Sequence, residues 1–216
     1  MLDKIVTPLL SWYDRYHRNL PWRAEKNPYY IWISEIMLQQ TRVEAVRPYF
    51  DRFITALPTV HDLAVCPDDQ LLKLWEGLGY YNRARNLKKA AQQIEERYDG
   101  ALPADYEKLL GLQGIGAYTA GAIASIAWDI PVPAVDGNVL RIWARLTACD
   151  EDILKDKVRK RAQNELAEVM PRTRSGDLNQ AFMDLGSSLC LPKGQIGCEK
   201  CPLVFACEAR KRGLTE

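Results

Sequence analysis

Two carboxylates and four thiols hold most of the chemical potential of this 216-residue chain. Glu35 lies in the stretch Trp32-Ile33-Ser34-Glu35-Ile36-Met37-Leu38-Gln39-Gln40-Thr41. The apolar neighbours predict a helix buried on more than one face. Such surroundings disfavour a carboxylate anion, which raises its pKa and suits the group to donate a proton. The competing reading is an ordinary glutamate that reaches water or pairs with Arg42. The polar block Ser34, Glu35, Gln39, Gln40 and Thr41 weighs against it, because polar groups in a buried helix are costly unless they line a site. Asp136, in Ala134-Val135-Asp136-Gly137-Asn138, is weaker alone, since such a run commonly makes a turn or caps the following helix. As a pair the two match glycosidase equipment: an acid that protonates the leaving group and a carboxylate that stabilises an oxocarbenium-like sugar.

The thiols stand in the pattern Cys190-x7-Cys198-x2-Cys201-x5-Cys207. Four soft ligands in a short, loop-like segment indicate Zn²⁺ or an iron–sulfur cluster, and spacing alone does not choose between them. Cys66 and Cys149 sit in helical patterns beside apolar residues and are expected to be buried core thiols.

Asp136 belongs to a stretch that runs from Leu112 to Asn138. Its Gly114-Ile115-Gly116 turn opens directly into a small-residue helix over 117–127. Glycines let the backbone turn tightly with N–H groups exposed at the positive end of a helix, an arrangement that receives a phosphate. The plainer alternative is a C-cap and turn between packed helices. Ala120, Gly121, Ala122 and Ala124 leave the helix thin enough for close packing. A net charge of +1 gives no bulk attraction to nucleic acid. The basic runs Arg83, Arg85, Lys88, Lys89 and Lys155, Lys157, Arg159, Lys160, Arg161 read as solvated helix faces and decide nothing. No apolar run approaches membrane-spanning length, and the start Met-Leu-Asp-Lys is no signal peptide, so a cytoplasmic protein is expected.

The elements that must position these groups read as helices throughout. Apolar spacing predicts 3–17 (through Ile5, Leu9, Trp12 and Tyr16), 31–46 ending before Pro48, 60–65, 69–76, 83–98, 105–112, 117–127, 138–147, 152–169 and 176–189. A Gly77-to-Tyr81 turn presents two aromatics. No strand-period alternation and no repeats are found, so the fold class is all-α. A contiguous lobe over 25–131 is expected, with a second lobe formed by 1–24 and 132–216 and a cleft between them flanked by Glu35 and Asp136.

The pattern Leu-x-Gly-Ile-Gly-x-x-Thr-Ala resembles the hairpin of a helix-hairpin-helix motif, which grips DNA backbone without reading sequence. With SEIMLQQTRV, WEGLGYYNRARNL, AVDGN and the four cysteines, nearly the whole chain resembles the helix-hairpin-helix DNA glycosylases of the endonuclease III superfamily. Within it the chain looks like the A/G-specific adenine glycosylases, the MutY family. The resemblance implies a six-helix barrel lobe and a lobe holding a [4Fe–4S] cluster on Cys190, Cys198, Cys201 and Cys207. It implies double-stranded DNA with adenine mispaired to 8-oxoguanine or guanine as substrate, hydrolysed at the N-glycosidic bond by a monomer with no membrane partner. Glu35 would protonate the flipped adenine, Asp136 would stabilise or briefly bond the sugar, and Asn138 would assist. Gln40 and Tyr80 would fill the gap in the helix. Trp22, Arg23, Leu38 and Gln180 would border the adenine pocket, and Gly114, Ile115 and Gly116 would hold the backbone. The Leu38-Gln39-Gln40-Thr41 block points to adenine.

Relatives that also nick the strand carry a lysine two residues after the hairpin's second glycine, to form a Schiff base. Here that position is Tyr118, which cannot form an imine, so a monofunctional glycosylase is expected. In some relatives a tyrosine here bonds the catalytic aspartate, and a thymine-mismatch branch carries it too. Seven residues separate the first two cluster cysteines where the family usually has six. Family members continue into a domain that recognises 8-oxoguanine, so this chain alone is expected to prefer 8-oxoguanine over guanine less strongly. Two alternatives stand beside the adenine reading: a thymine-mismatch or oxidised-pyrimidine glycosylase, and a cluster-bearing module that scans DNA without cutting.

Overall fold

The computed structural model describes residues 2–215, among which no strand occurs. The chain forms two compact units, Asn19–Trp128 and the combination of Met1–Arg18 with Asp129–Glu216. Helix α1 (Val6–Tyr16) belongs to the second. The first holds α2 (Pro28–Leu38), α3 (Val43–Ala56), α4 (Val60–Val65), α5 (Asp68–Trp75), α6 (Asn82–Tyr98), α7 (Tyr106–Leu110) and α8 (Ala117–Trp128). The chain then returns to the second unit with α9 (Gly137–Thr147), α10 (Asp156–Ala167), α11 (Ser175–Ser188) and the short α12 (Glu208–Lys211).

In the Asn19–Trp128 unit, α2 starts where Asn27 accepts hydrogen bonds from the Tyr29 and Tyr30 amides, with Pro28 in the first turn. Every residue from Ile31 to Met37 is buried. A helix apolar all round belongs in a core, and α2 packs on α8, whose residues 119–126 are likewise all buried. Thr59 and Asp62 start α4 with a reciprocal capping box. The expected single helix over 31–46 is instead two. The backbone leaves α2 at Gln39, Gln40 takes φ +58°, and α3 starts at Val43. Pro48 therefore lies inside α3 rather than ending a helix. The three polar residues Gln39-Gln40-Thr41 have no apolar face to bury, and they turn the chain outward.

In the other unit, a stripe of Leu2, Ile5, Leu9 and Tyr13 joins a core with Val139, Ile142, Trp143, Leu178 and Phe182. Tyr16, expected on that stripe, is 64% exposed because the stripe follows 2, 5, 9, 13. The Arg18 side chain donates to the buried Asp184 carboxylate (Nε to Oδ1, 2.8 Å), fastening the end of α1 to α11. The helix expected from 152 begins only at 156, because the Asp152 carboxylate accepts the Leu154 amide at 2.9 Å in a turn. Cys66 is a buried core thiol whose pKa burial pushes up. Cys149 is not; it is half-buried, and its Sγ accepts from Arg161 Nη2 at 3.2 Å. No described helix is long and apolar enough to cross a membrane.

Candidate functional site

The packing of α2 on α8 brings Glu35 to Tyr118, 83 residues away in sequence. The Glu35 carboxyl lies in the last turns of α2 and is 6% exposed. Tyr118 is the second residue of α8, and its hydroxyl donates to Glu35 Oε2 at 2.9 Å.

In the other unit, the Asp136 side chain is held from two directions. Oδ1 accepts the Val139 amide at 2.8 Å, capping α9, and Oδ2 accepts Asn138 Nδ2 at 2.8 Å. The helix-cap reading of this aspartate is thus correct, and it leaves a carboxylate of fixed rotamer. Two residues that sequence patterns did not single out complete the support. Arg141 Nη2 donates to Asn138 Oδ1 at 2.9 Å and to the Gly186 carbonyl at 2.8 Å, while its Nε donates to the Cys190 carbonyl at 2.9 Å. Asn179, buried in α11, accepts the Ala134 amide and donates to the Val132 carbonyl, pinning the linker that delivers Asp136. A Cβ on Gly186 would stand 2.6 Å from Asn138 Cβ, so only glycine admits this approach. The signals were faint: an arginine three residues after Asn138, and an asparagine beside Gln180 in an apolar helix.

Gln40 and Tyr80 both have left-handed backbones, φ +58° and +48°, and Tyr80 is 63% exposed. A non-glycine residue in that region costs about 1–2 kcal/mol, so its surroundings must hold it there. Of the residues expected around a base pocket, Trp22 is buried edge-on against Phe50, Arg23, Leu38 and Thr41 are half-buried, and Gln180 is buried in α11. The basic run at the start of α6 is not a uniformly solvated face: Arg83 turns inward, and Lys88 pairs with Asp68.

The hairpin glycines have separate jobs. Ile115 is buried while Gly114, Gly116 and Ala117 are exposed, so one apolar anchor holds a turn that presents its backbone outward. Gly114 has φ +76°, and a Cβ there would meet Asn86 Cβ at 2.8 Å. Gly116 has neither constraint, and a Cβ there would meet nothing within 4 Å. Gly114→Ala is therefore expected to cost about 1 kcal/mol or more of stability, read as a lower melting temperature. Gly116→Glu is expected to melt like the parent yet weaken binding to any duplex by roughly tenfold, through repulsion of the phosphates. Fluorescence anisotropy on two unrelated duplexes checks the second; equal binding by the variant would take the hairpin out of the interface.

Cys190, Cys198, Cys201 and Cys207 line one pocket with Leu189, Ile196 and Val204. Burial above all pushes the Cys201 thiol up to about 11, and the neighbouring Cys190, Cys207 and Cys198 add to it. Anionic thiolates at such a site need strong cationic charge to form. Arg145 Nη1 donates to Cys190 Sγ at 3.2 Å, and the Arg145 carbonyl faces Cys207 Sγ at 3.4 Å. Among the described residues no three His, Cys, Asp or Glu side chains converge on a single-ion site.

An all-helical chain whose glycine hairpin runs straight into the helix bearing Tyr118 has the helix-hairpin-helix fold of base-excision enzymes. The family described as HhH-GPD superfamily base excision DNA repair protein matches residues 33–168, and the chain belongs to that superfamily. It is 41% identical to a mouse adenine DNA glycosylase over 213 residues, covering 94% of this chain and 41% of the relative. It is 42% identical to an adenine DNA glycosylase of Buchnera aphidicola (Acyrthosiphon pisum), covering 94% and 58%. The chain thus spans roughly half the length of these relatives. Among solved structures, a thermostable thymine-DNA glycosylase superposes with a TM-score of 0.88 at 26% identity, covering 97% of each chain. A trapped endonuclease III–DNA covalent intermediate, at 24% identity and a TM-score of 0.79, covers 99% of this chain and 97% of its own, and shares the fold.

Proposed function

We propose that this chain acts as a monofunctional DNA glycosylase that hydrolyses the N-glycosidic bond of adenine mispaired with 8-oxoguanine or guanine. The buried Glu35 carboxyl bonded by Tyr118 carries the proposal: it supports an acid for base release, and a phenol beside it cannot form the imine that strand nicking requires. Glu35 supplies the proton that makes adenine a leaving group, and Asp136 supplies negative charge to the oxocarbenium-like sugar, with Asn138 fixing its orientation. The hairpin holds the phosphate backbone, and Gln40 and Tyr80 enter the space the extruded base leaves. Trp22, Arg23, Leu38 and Gln180 border the base. A monomer is proposed.

The four thiols line one pocket, a soft-ligand set that suits a [4Fe–4S] cluster, the group that the likeness to the endonuclease III superfamily supports. When bound, the cluster supplies a fourfold crosslink of residues 190–207. The Cys190 carbonyl is the point where that segment meets Arg141.

Adenine is favoured over thymine because the curated adenine glycosylases match at about 40% identity and the thymine glycosylase structure at 26%. That structure's TM-score keeps thymine opposite guanine as the second reading. Single-turnover base release separates them, using duplexes with A·8-oxoguanine, A·G, T·G and an oxidised pyrimidine. Adenine alone is expected to leave, with strand breaks only after alkali. Release of thymine would establish the second reading, and binding without release would leave a scanning module.

A further inference from the structure

Arg83, at the start of α6, sends its guanidinium between two turns of the Asn19–Trp128 unit. Nη1 donates to the carbonyls of Ile36 (2.9 Å), Met37 (3.0 Å) and Gln39 (2.5 Å). The first two belong to the last turn of α2, where helix carbonyls lack partners within the helix. Nη2 donates to the carbonyls of Leu78 (3.0 Å) and Gly79 (3.3 Å), and reaches Thr41 Oγ1 at 3.4 Å. The cation also lies against the rings of Trp75 and Tyr80, 5.4 and 5.6 Å from their centroids. One planar group thus bonds the Gln39–Thr41 turn through both Nη1 and Nη2 and the Leu78–Gly79 carbonyls through Nη2.

The second turn is braced by other contacts as well. The buried Trp75 indole donates to the Gly79 carbonyl at 3.1 Å, and the Arg83 amide donates to the Tyr80 carbonyl at 2.9 Å. A Cβ on Gly77 would stand 2.1 Å from the Tyr49 hydroxyl, so the turn is packed to contact. Each turn carries one strained non-glycine residue, Gln40 or Tyr80. Strain of this kind persists only where neighbours over-determine it, and Arg83 is the neighbour both share.

We infer that Arg83 is a positioning residue that locks the Gln40 and Tyr80 turns into one preformed wedge, and so governs base extrusion rather than bond cleavage. The inference rests on the proposed role of Gln40 and Tyr80 in filling the duplex. Lysine keeps the charge but offers donors from a single point, and it cannot span two turns as the fork does.

Arg83→Lys tests this on two duplexes: one with an A·G mispair, and one with adenine opposite a tetrahydrofuran abasic analogue, where no pair has to be broken. On the mispair the single-turnover rate is expected to fall about thirtyfold or more, in keeping with what misplacement by an ångström costs. On the unpaired adenine it is expected to stay within about threefold, since the bond-breaking groups are untouched. Amide hydrogen exchange is expected to accelerate at 39–41 and 77–81 together and to stay unchanged in α8. Equal losses on both duplexes, or no loss on the mispair, would overturn the inference. If the parent releases adenine from neither duplex, the proposed function fails instead. Hydrogen exchange then decides the clamp alone, and unchanged protection of the two turns in the variant would refute it.

Discussion

Replacing Glu35 by glutamine is expected to lower the single-turnover rate of adenine release by about a thousandfold or more, while duplex binding and folding persist. Glutamine has the volume of glutamate, and its Oε1 still accepts the Tyr118 hydroxyl that now holds the carboxyl at 2.9 Å. What it lacks is a proton to give, because an amide does not titrate as an acid near neutrality. The parent buries an ionisable group at 6% exposure. The exchange keeps the shape and the Tyr118 bond, so the variant is expected to fold and to melt close to the parent temperature. Anisotropy on an A·G duplex, a melting curve and a single-turnover time course together check the claim. A rate within tenfold of the parent would mean that another group protonates the base. Tyr118→Phe leaves the acid in place and removes one hydrogen bond, so its effect is expected to be far smaller, of the order of 1 kcal/mol or about fivefold.

Asp136→Asn is expected to cost a comparable factor, for a different reason. Asparagine is as good an N-cap as aspartate, so its Oδ1 keeps the Val139 amide and α9 stays capped. Its Nδ2, however, then faces the Nδ2 of Asn138, donor against donor, where the parent has a hydrogen bond of 2.8 Å. That mismatch costs about 1–2 kcal/mol of stability and leaves the negative charge missing from the sugar's side of the reaction. The expected result is a melting temperature a few degrees lower, with the rate down about a thousandfold. Asp136→Ala also removes the cap, so it is expected to lose more stability while the rate falls no further. If Asp136→Asn kept its rate and only melted earlier, the aspartate would be a cap and nothing more.

The contrast between these variants shows what local sequence can and cannot say. Helix existence was legible almost everywhere because apolar periodicity is a local property: α4 lies at 60–65 as expected, and α6, α8, α9 and α11 lie within a residue or so of their expected spans. The hairpin, the four thiols and the motifs around Glu35 and Asp136 were legible for the same reason, since each is a run of residue types at short spacing. The break at Gln39–Thr41 was not, because a polar block at the end of a buried helix reads equally well as a continuing polar face. Tyr16 misled because a helical stripe admits more than one phase until a partner helix chooses it, and Cys149 because α9 ends at Thr147 and leaves the thiol beyond the helix.

The sequence by itself therefore determined the fold class and the chemical inventory: helices, a glycine turn opening into a helix, an acid in apolar surroundings, a carboxylate at a helix start and a soft-ligand segment. Tertiary structure alone decided which groups touch. Tyr118 bonds Glu35 across 83 residues, Asn179 pins a linker 45 and 47 residues away, and Arg141 reaches 45 and 49 residues to the backbone of Gly186 and Cys190. It also divided the labour of Gly114 and Gly116, alike in sequence, by packing Asn86 against only one of them. A hydrogen bond or a steric limit is set by distance in space. Where the intervening chain spans several helices, that distance follows from how the helices pack and not from any local pattern of residues.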